Sequence, residues 1–295
     1  MKSIRVMRML PFVYRVAVLL AIAALYAAFD VFNKRNVPNA FVYITVIIGA
    51  IITLSYPLHI AEISLLIALA IAGIGYVVYK TGFLGAGDVF EFIAISMVMP
   101  IQPAPLFAST QQFGLPFILS VFIVTGYVSA LLVVLYYLVF TKRSPLEKGI
   151  GIKRGKIIAS LALIVAYSML LLLIKTVAGA TLVSVGIVLL ILVPSVVIML
   201  YEKKINARMA RMVYPRELEE GDMIAAGLMA KEDISYFRKK YRRFGRLVTG
   251  EMIEKLSKER RKLPVYRNAA PLALFVLVGM VIALFFGNII FLLFA

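Results

Sequence analysis

Apolar residues in this chain come in long runs separated by short polar stretches. A membrane-spanning helix needs about 20 predominantly apolar residues. The runs and their punctuation place helices near 11–29, 39–56, 60–79, 88–101, 115–140, 157–174, 180–200 and 269–294. The prediction is an all-α, polytopic membrane bundle of about eight spans. The first run, PFVYRVAVLLAIAALYAAF, reads as a span rather than a cleaved leader, because no small-residue cleavage site precedes a soluble region and Asp30 follows directly. Three parts are expected: a transmembrane core over 1–200, a basic helical segment over 201–268, and a C-terminal transmembrane helix over 269–295. In the middle part Gly221 breaks the pattern, and helix starts are expected at Asp233 and Thr249.

Composition strengthens this reading. With 62% hydrophobic residues and a mean hydropathy of +0.97, the 295 residues cannot form two water-soluble domains. The chain carries 32 Lys+Arg against 15 Asp+Glu, a net charge of +17. Such a balance can mark a nucleic-acid binder, but here the basic residues fall in alternate connections, as membrane anchors do, and no nucleic-acid partner is expected. One side holds Lys34, Arg35, Lys80, six basic residues in 141–156 and eighteen in 201–268; the other holds only Lys175. The positive-inside rule makes the first side cytoplasmic. Lys2, Arg5, Arg8 and Arg15 at the N-terminus oppose that orientation. The basic face of 201–268 is suited to anionic lipid headgroups. Without Cys there is no disulfide, thiol nucleophile or Cys-ligated zinc, and the lone His59 builds no metal site. No metal or cofactor is called for.

In so apolar a chain the informative residues are the acids within or beside the membrane, where a carboxylate is costly. These are Asp30, Glu62, Asp88 and Glu91. Glu62, near His59 at the mouth of the third span, fits a solvated position. Asp30 and Asp88 fall at cytoplasmic ends of their helices and so can share a depth. Two carboxylates confined together do not both ionise readily, so one holds a proton while the other stays anionic. That state suits water-dependent peptide hydrolysis, with one carboxylate taking a proton from water and the other polarising the carbonyl. Each Asp also fits a plainer role, as a helix cap or a partner of a nearby Lys. Gly85 and Gly87, in the run TGFLGAGDVFEF, allow another backbone to come close to Asp88. Beyond Asp30, the run DVFNKRNVPN ends with Pro38 and Asn39 opening the next helix.

Asp30 followed by NKRNVPN, and GAGD ending at Asp88 two spans later, resemble the archaeal preflagellin and type IV prepilin peptidases, the membrane-embedded GxGD aspartyl proteases. In that family an Asp ends the first span, an Ile-Pro-Asn-like triplet closes the turn, and GxGD starts the fourth span; Val37, Pro38 and Asn39 match the triplet with Val for Ile. The resemblance covers mainly 11–101. It implies a catalytic pair of Asp30 and Asp88, with Gly85, Gly87, Pro38 and Asn39 shaping the site. It also implies cleavage of a class III signal peptide from archaellin or pilin precursors on the cytoplasmic face of the plasma membrane, after a Gly preceded by basic residues. Glu91 matches no catalytic position of the family; it either acts on Asp88 by charge repulsion, binds the precursor's basic residues, or is structural. The chain departs from the compact members, which have about six spans. Bacterial relatives that also N-methylate the product carry a Cys-based zinc domain, so no methyltransferase activity is expected here.

Two other readings compete. Presenilin and signal-peptide-peptidase relatives share GxGD, but their Pro-Ala-Leu element is absent: this chain has Ala-Pro-Leu at 270–272 and Pro-Ala-Pro at 103–105. A proton- or ion-coupled carrier would use Asp30, Asp88 and Glu91 as a relay and would show inverted repeats with interrupted helices; no such repeat is seen.

Overall fold

A computed structural model describes residues 10–33, 37–81, 84–105, 115–142, 144–147, 149–177, 179, 181–241, 245–257, 259–267 and 270–289. It is an all-α polytopic membrane protein with very little sheet. The apolar helices are α1 (Phe12–Phe32), α2 (Asn39–Leu54), α3 (Leu58–Lys80), α4 (Ala86–Val98), α5 (Phe117–Val134), α6 (Arg154–Val177) and α7 (Leu182–Met209). Two short polar helices follow, α8 (Lys231–Lys240) and α9 (Gly250–Leu256), and then apolar α10 (Leu272–Phe286). Each predicted span therefore has its helix, although residues 290–295 of the last predicted run lie outside the described residues. Pro11, Pro38, Pro57, Pro116 and Pro271 each stand immediately before a helix. Proline fixes φ there and withholds an N–H that would have had no partner inside the helix.

The innermost element is α4, whose residues from Glu91 onward are all buried. It packs between α2 and α3, with α1 and α5 beside it. Glycines bring these helices close: a Cβ on Gly75 of α3 would stand 2.3 Å from Val89 Cγ1, and one on Gly49 of α2 would stand 3.0 Å from Met97 Cβ. α10 closes the core between α1 and α5. The main apolar cluster, with Leu19, Tyr26, Ile95, Phe117, Val188 and Met280 among its members, runs through these helices and into α7. α6 and α7 pair with each other, and α7 leans on α5 from outside. The core is thus a six-helix unit, α1–α5 plus α10, with α6, α7 and the polar stretch inserted between its fifth and sixth helices.

At 13 residues α4 is about 20 Å long, well short of a bilayer's hydrocarbon thickness. It ends at Val98 because Pro100 drives Met99 out of the helical region, to φ −137°, ψ 80°. The chain then runs extended and is satisfied inside the protein. Gln102 N donates to Leu115 O, Phe117 N to Pro100 O, and Gln102 Nε2 to Ala283 O on α10. Irregular backbone is tolerated at membrane depth only when buried in this way.

Helix α7 runs on to Met209, and residues 211–267 build a second, smaller core around Val213, Ile224, Phe237, Val248, Leu256 and Val265. Here helical pieces alone were expected, and the structure adds a two-stranded antiparallel sheet. Strand β1 (Arg211–Val213) pairs with β2 (Leu263–Val265) in the register Arg211↔Val265 and Val213↔Leu263. Strands of three residues are too short for alternation to show in sequence. Gly221 occupies the left-handed region at φ +93°. Thr249 is the residue before α9, as expected, whereas α8 begins two residues ahead of Asp233.

Candidate active site

Asp30 lies in the last turn of α1, where the helix dipole disfavours a carboxylate. The N-terminal end of α10 offsets this, because the backbone N–H of Ala273 donates to Asp30 Oδ2 at 3.0 Å. Phe41 of α2 packs against both Tyr26 and Phe29 of α1, each ring pair 5.0 Å apart, and so fixes this end of α1 against α2.

Asp88 is the third residue of α4. It does not cap the helix as the preceding residue; its side chain turns back, and Gly85 N donates to Asp88 Oδ2 at 2.9 Å. That is the returning half of a capping box. A Cβ on Gly85 would stand 3.1 Å from the same carboxylate oxygen. Gly87 faces Val37 of the turn after α1, at 3.4 Å from an added Cβ, so the GAGD run and the Val37-Pro38-Asn39 triplet meet. Pro38 stands before α2 and accepts from Val42 N at 3.1 Å, while Asn39 is the exposed first residue of that helix. Lys34 and Arg35 lie outside the described residues.

The two aspartates lie at the same end of the bundle, close enough for their charges to act on each other, and Glu91 is in electrostatic reach of both. Glu91 is fully buried, and neither carboxyl oxygen has a hydrogen-bond partner among the described residues. Burying a carboxyl without a donor is costly. Two further residues at this site were not anticipated. Tyr26, one turn before Asp30 and 1% exposed, has its hydroxyl 3.1 Å from Thr45 Oγ1 and within reach of the charges of Glu91 and Asp88. An aromatic and a Thr on apolar helices carry no signal of their own in sequence.

The remaining candidates lie elsewhere. His59 and Glu62 are exposed at the start of α3, the opposite end of the bundle from Asp30. Arg15, one of the basic residues that oppose the orientation argument, donates to Tyr56 Oη at 3.1 Å and lies over the Tyr56 ring. Tyr56 in turn donates to Val98 O at the end of α4. Lys2, Arg5 and Arg8 lie outside the described residues. A buried ion pair joins α7 to the short turn Pro145–Glu147 in the connection that follows α5. Arg208 bonds Glu147 at 2.6 Å and also donates to the carbonyls of Tyr137 and Thr141, where the helix widens into a π turn over Leu135–Phe140.

Two carboxylates thus stand at one end of an apolar helical core, with a third buried within electrostatic reach of both. Residues 17–128 match the model of the type IV leader peptidase family. The match makes this part of the chain similar to the type IV leader peptidases. It runs from within α1 into α5, taking in Asp30, Asp88 and Glu91, and it stops short of α6, α7, the smaller core and α10. Neither the curated proteins nor the solved structures give a match.

Proposed function

We propose that this protein is an aspartic endopeptidase that removes the short class III signal peptide from preflagellin or prepilin-like precursors at the cytoplasmic face of the plasma membrane. The observation that carries the reading is that Asp30 and Asp88 stand at the same end of the core, within electrostatic reach of each other and within the region that matches a peptidase family. One carboxylate takes a proton from water as the water oxygen attacks the scissile carbonyl carbon. The protonated carboxyl hydrogen-bonds the carbonyl oxygen as charge develops there. The tetrahedral intermediate then expels the amine, which leaves with a proton returned by the dyad. Water reaches the pair from the end of the bundle, while the precursor's apolar helix approaches from the lipid and its basic leader stays outside.

Glu91, having no exposed surface, is not placed to receive the leader. The six-helix core accounts for the chain's departure from a six-span plan: two spans and a polar unit are inserted into it, and the site's helices are kept. No methyltransferase activity is expected.

The test is direct. Full-length protein in phospholipid vesicles is incubated with a peptide carrying a basic leader, a Gly and an apolar helix, and products are weighed by mass spectrometry. A single cut after the Gly supports the reading; intact peptide in the presence of folded protein, across pilin-like and archaellin-like sequences, contradicts it.

A further inference from the structure

Helix α10 lies beyond the matched residues, yet it reaches the site directly. Ala273, its second residue, gives its backbone N–H to Asp30. The first four N–H groups of a helix have no partner within it, so this one is available to a side chain and lies at the helix's positive end. Two anchors fix its position. Inside the bundle, α10 crosses α5 so closely at Gly279 that an added Cβ would stand 2.3 Å from Thr125 Oγ1 and 2.8 Å from the Thr125 backbone. On the other side, β2 is held in the smaller core through Leu263 and Val265, with Ala225 N donating to Pro264 O and Tyr266 N to Met223 O. Arg267 follows at once. Its Nη2 donates to the Asp222 carboxylate at 2.9 Å and to the Glu217 carbonyl, and lies 3.7 Å from Glu219. Only five residues separate Arg267 from Ala273.

We propose that α10 is a working part of the hydrolytic site: the Ala273 amide orients the Asp30 carboxylate, and the Arg267 latch sets where that amide lies. The smaller core thereby acts as a positioning device for chemistry carried out in the bundle. This rests on the peptidase reading above. It gives the polar insert a task that anchoring to lipid does not explain, because its last strand and Arg267 stand only a few residues before the donor for Asp30 in the sequence.

Ala273→Pro tests it, since proline is tolerated in the first turn of a helix and lacks the N–H. Ala273→Gly keeps the N–H. In the full-length protein, with the basic-leader peptide as substrate, Ala273→Pro lowers kcat on the order of tenfold, as losing one hydrogen bond to a charged group predicts, and leaves KM unchanged. Ala273→Gly, which keeps the N–H, loses much less than Ala273→Pro. Arg267→Ala lowers kcat with KM unchanged, and Arg267→Lys, which keeps a charge facing Asp222, restores most of it. Wild-type kcat in Ala273→Pro, or an equal loss in Ala273→Gly, overturns the proposal. If Ala273→Pro does not fold, the Arg267 pair decides, and full activity in Arg267→Ala overturns it. Asp30→Asn and Asp88→Asn separate the two claims. Cleavage that survives both sinks the peptidase reading and this inference together, whereas inactive Asn variants beside a fully active Ala273→Pro sink this inference alone.

Discussion

At Asp88 the position of a single carboxylate depends on the absence of a side chain at Gly85. Gly85 has an ordinary extended backbone, so alanine there incurs no strain. Its Cβ would instead crowd Asp88 Oδ2 at 3.1 Å and turn the carboxylate off the Gly85 amide. Gly85→Ala is therefore expected to reduce cleavage on the order of ten- to a hundredfold, the scale of a misplaced catalytic group, with an unchanged thermal midpoint. Assay and melting curve together check this; full activity contradicts the role given to Gly85. At this scale the sequence singles out Asp30 and Asp88 because carboxylates are rare in so apolar a chain, and it singles out Gly85, Gly87 and the Val37-Pro38-Asn39 turn by their place in the two runs that carry those acids. Ala273, Tyr26 and Thr45 were not legible. A backbone amide has no sequence signature, and a contact between residues 30 and 273 depends on how six helices close on one another.

Among elements, the tie between α7 and the connection that follows α5 is the clearest energetic feature outside the core. Arg208 and Glu147 have side chains only 8% and 10% exposed. Burial pushes the Glu147 carboxyl up, but the Arg208 hydrogen bond, the Ser144 amide and the charges of Arg208 and Lys204 outweigh it, and the group lies below its ordinary value of 4.5. A folded-state value below the unfolded one means that the pair's contribution is complete above the ordinary glutamate range and is lost as pH falls below it. Removing one partner of such a pair costs about 3 kcal/mol. Glu147→Gln should accordingly lower the thermal midpoint at pH 7 and flatten its fall between pH 5 and 3; a variant that melts like wild type throughout that range contradicts the assignment. Helix positions followed from run length, and their ends from Pro and Asn. The π turn at Leu135–Phe140 did not, because Arg208, some seventy positions later, takes the carbonyls that the turn leaves open.

For the whole molecule, the connections that follow α1, α3, α5 and α7 share one end of the bundle with the acid site, and most of the basic residues lie in them. The natural absence of Cys makes orientation easy to read. Single substitutions Thr81→Cys, Lys153→Cys and Asp233→Cys should react with a membrane-impermeant maleimide only in inverted vesicles, and His59→Cys only in right-side-out ones. Labelling in the opposite sense would put the site on the outer face. Arg15, held by Tyr56 at the end of the bundle opposite Asp30, belongs to the basic N-terminal group that argues the other way, and the labelling decides between the two. Eight apolar helices were countable from sequence, five of them long enough to cross a membrane, but their division into a six-helix core and an inserted pair was not, because α6 and α7 are as apolar as the helices they lean against.

The central claim is that Asp30 and Asp88 act as one hydrolytic pair. The most direct measurement compares wild type, Asp30→Asn and Asp88→Asn in lipid on the same basic-leader precursor, reading product mass and melting temperature together. Asparagine is nearly the same shape as aspartate but cannot carry the proton, so the account predicts no product from either variant and folded protein in both. Wild-type turnover in either variant contradicts it.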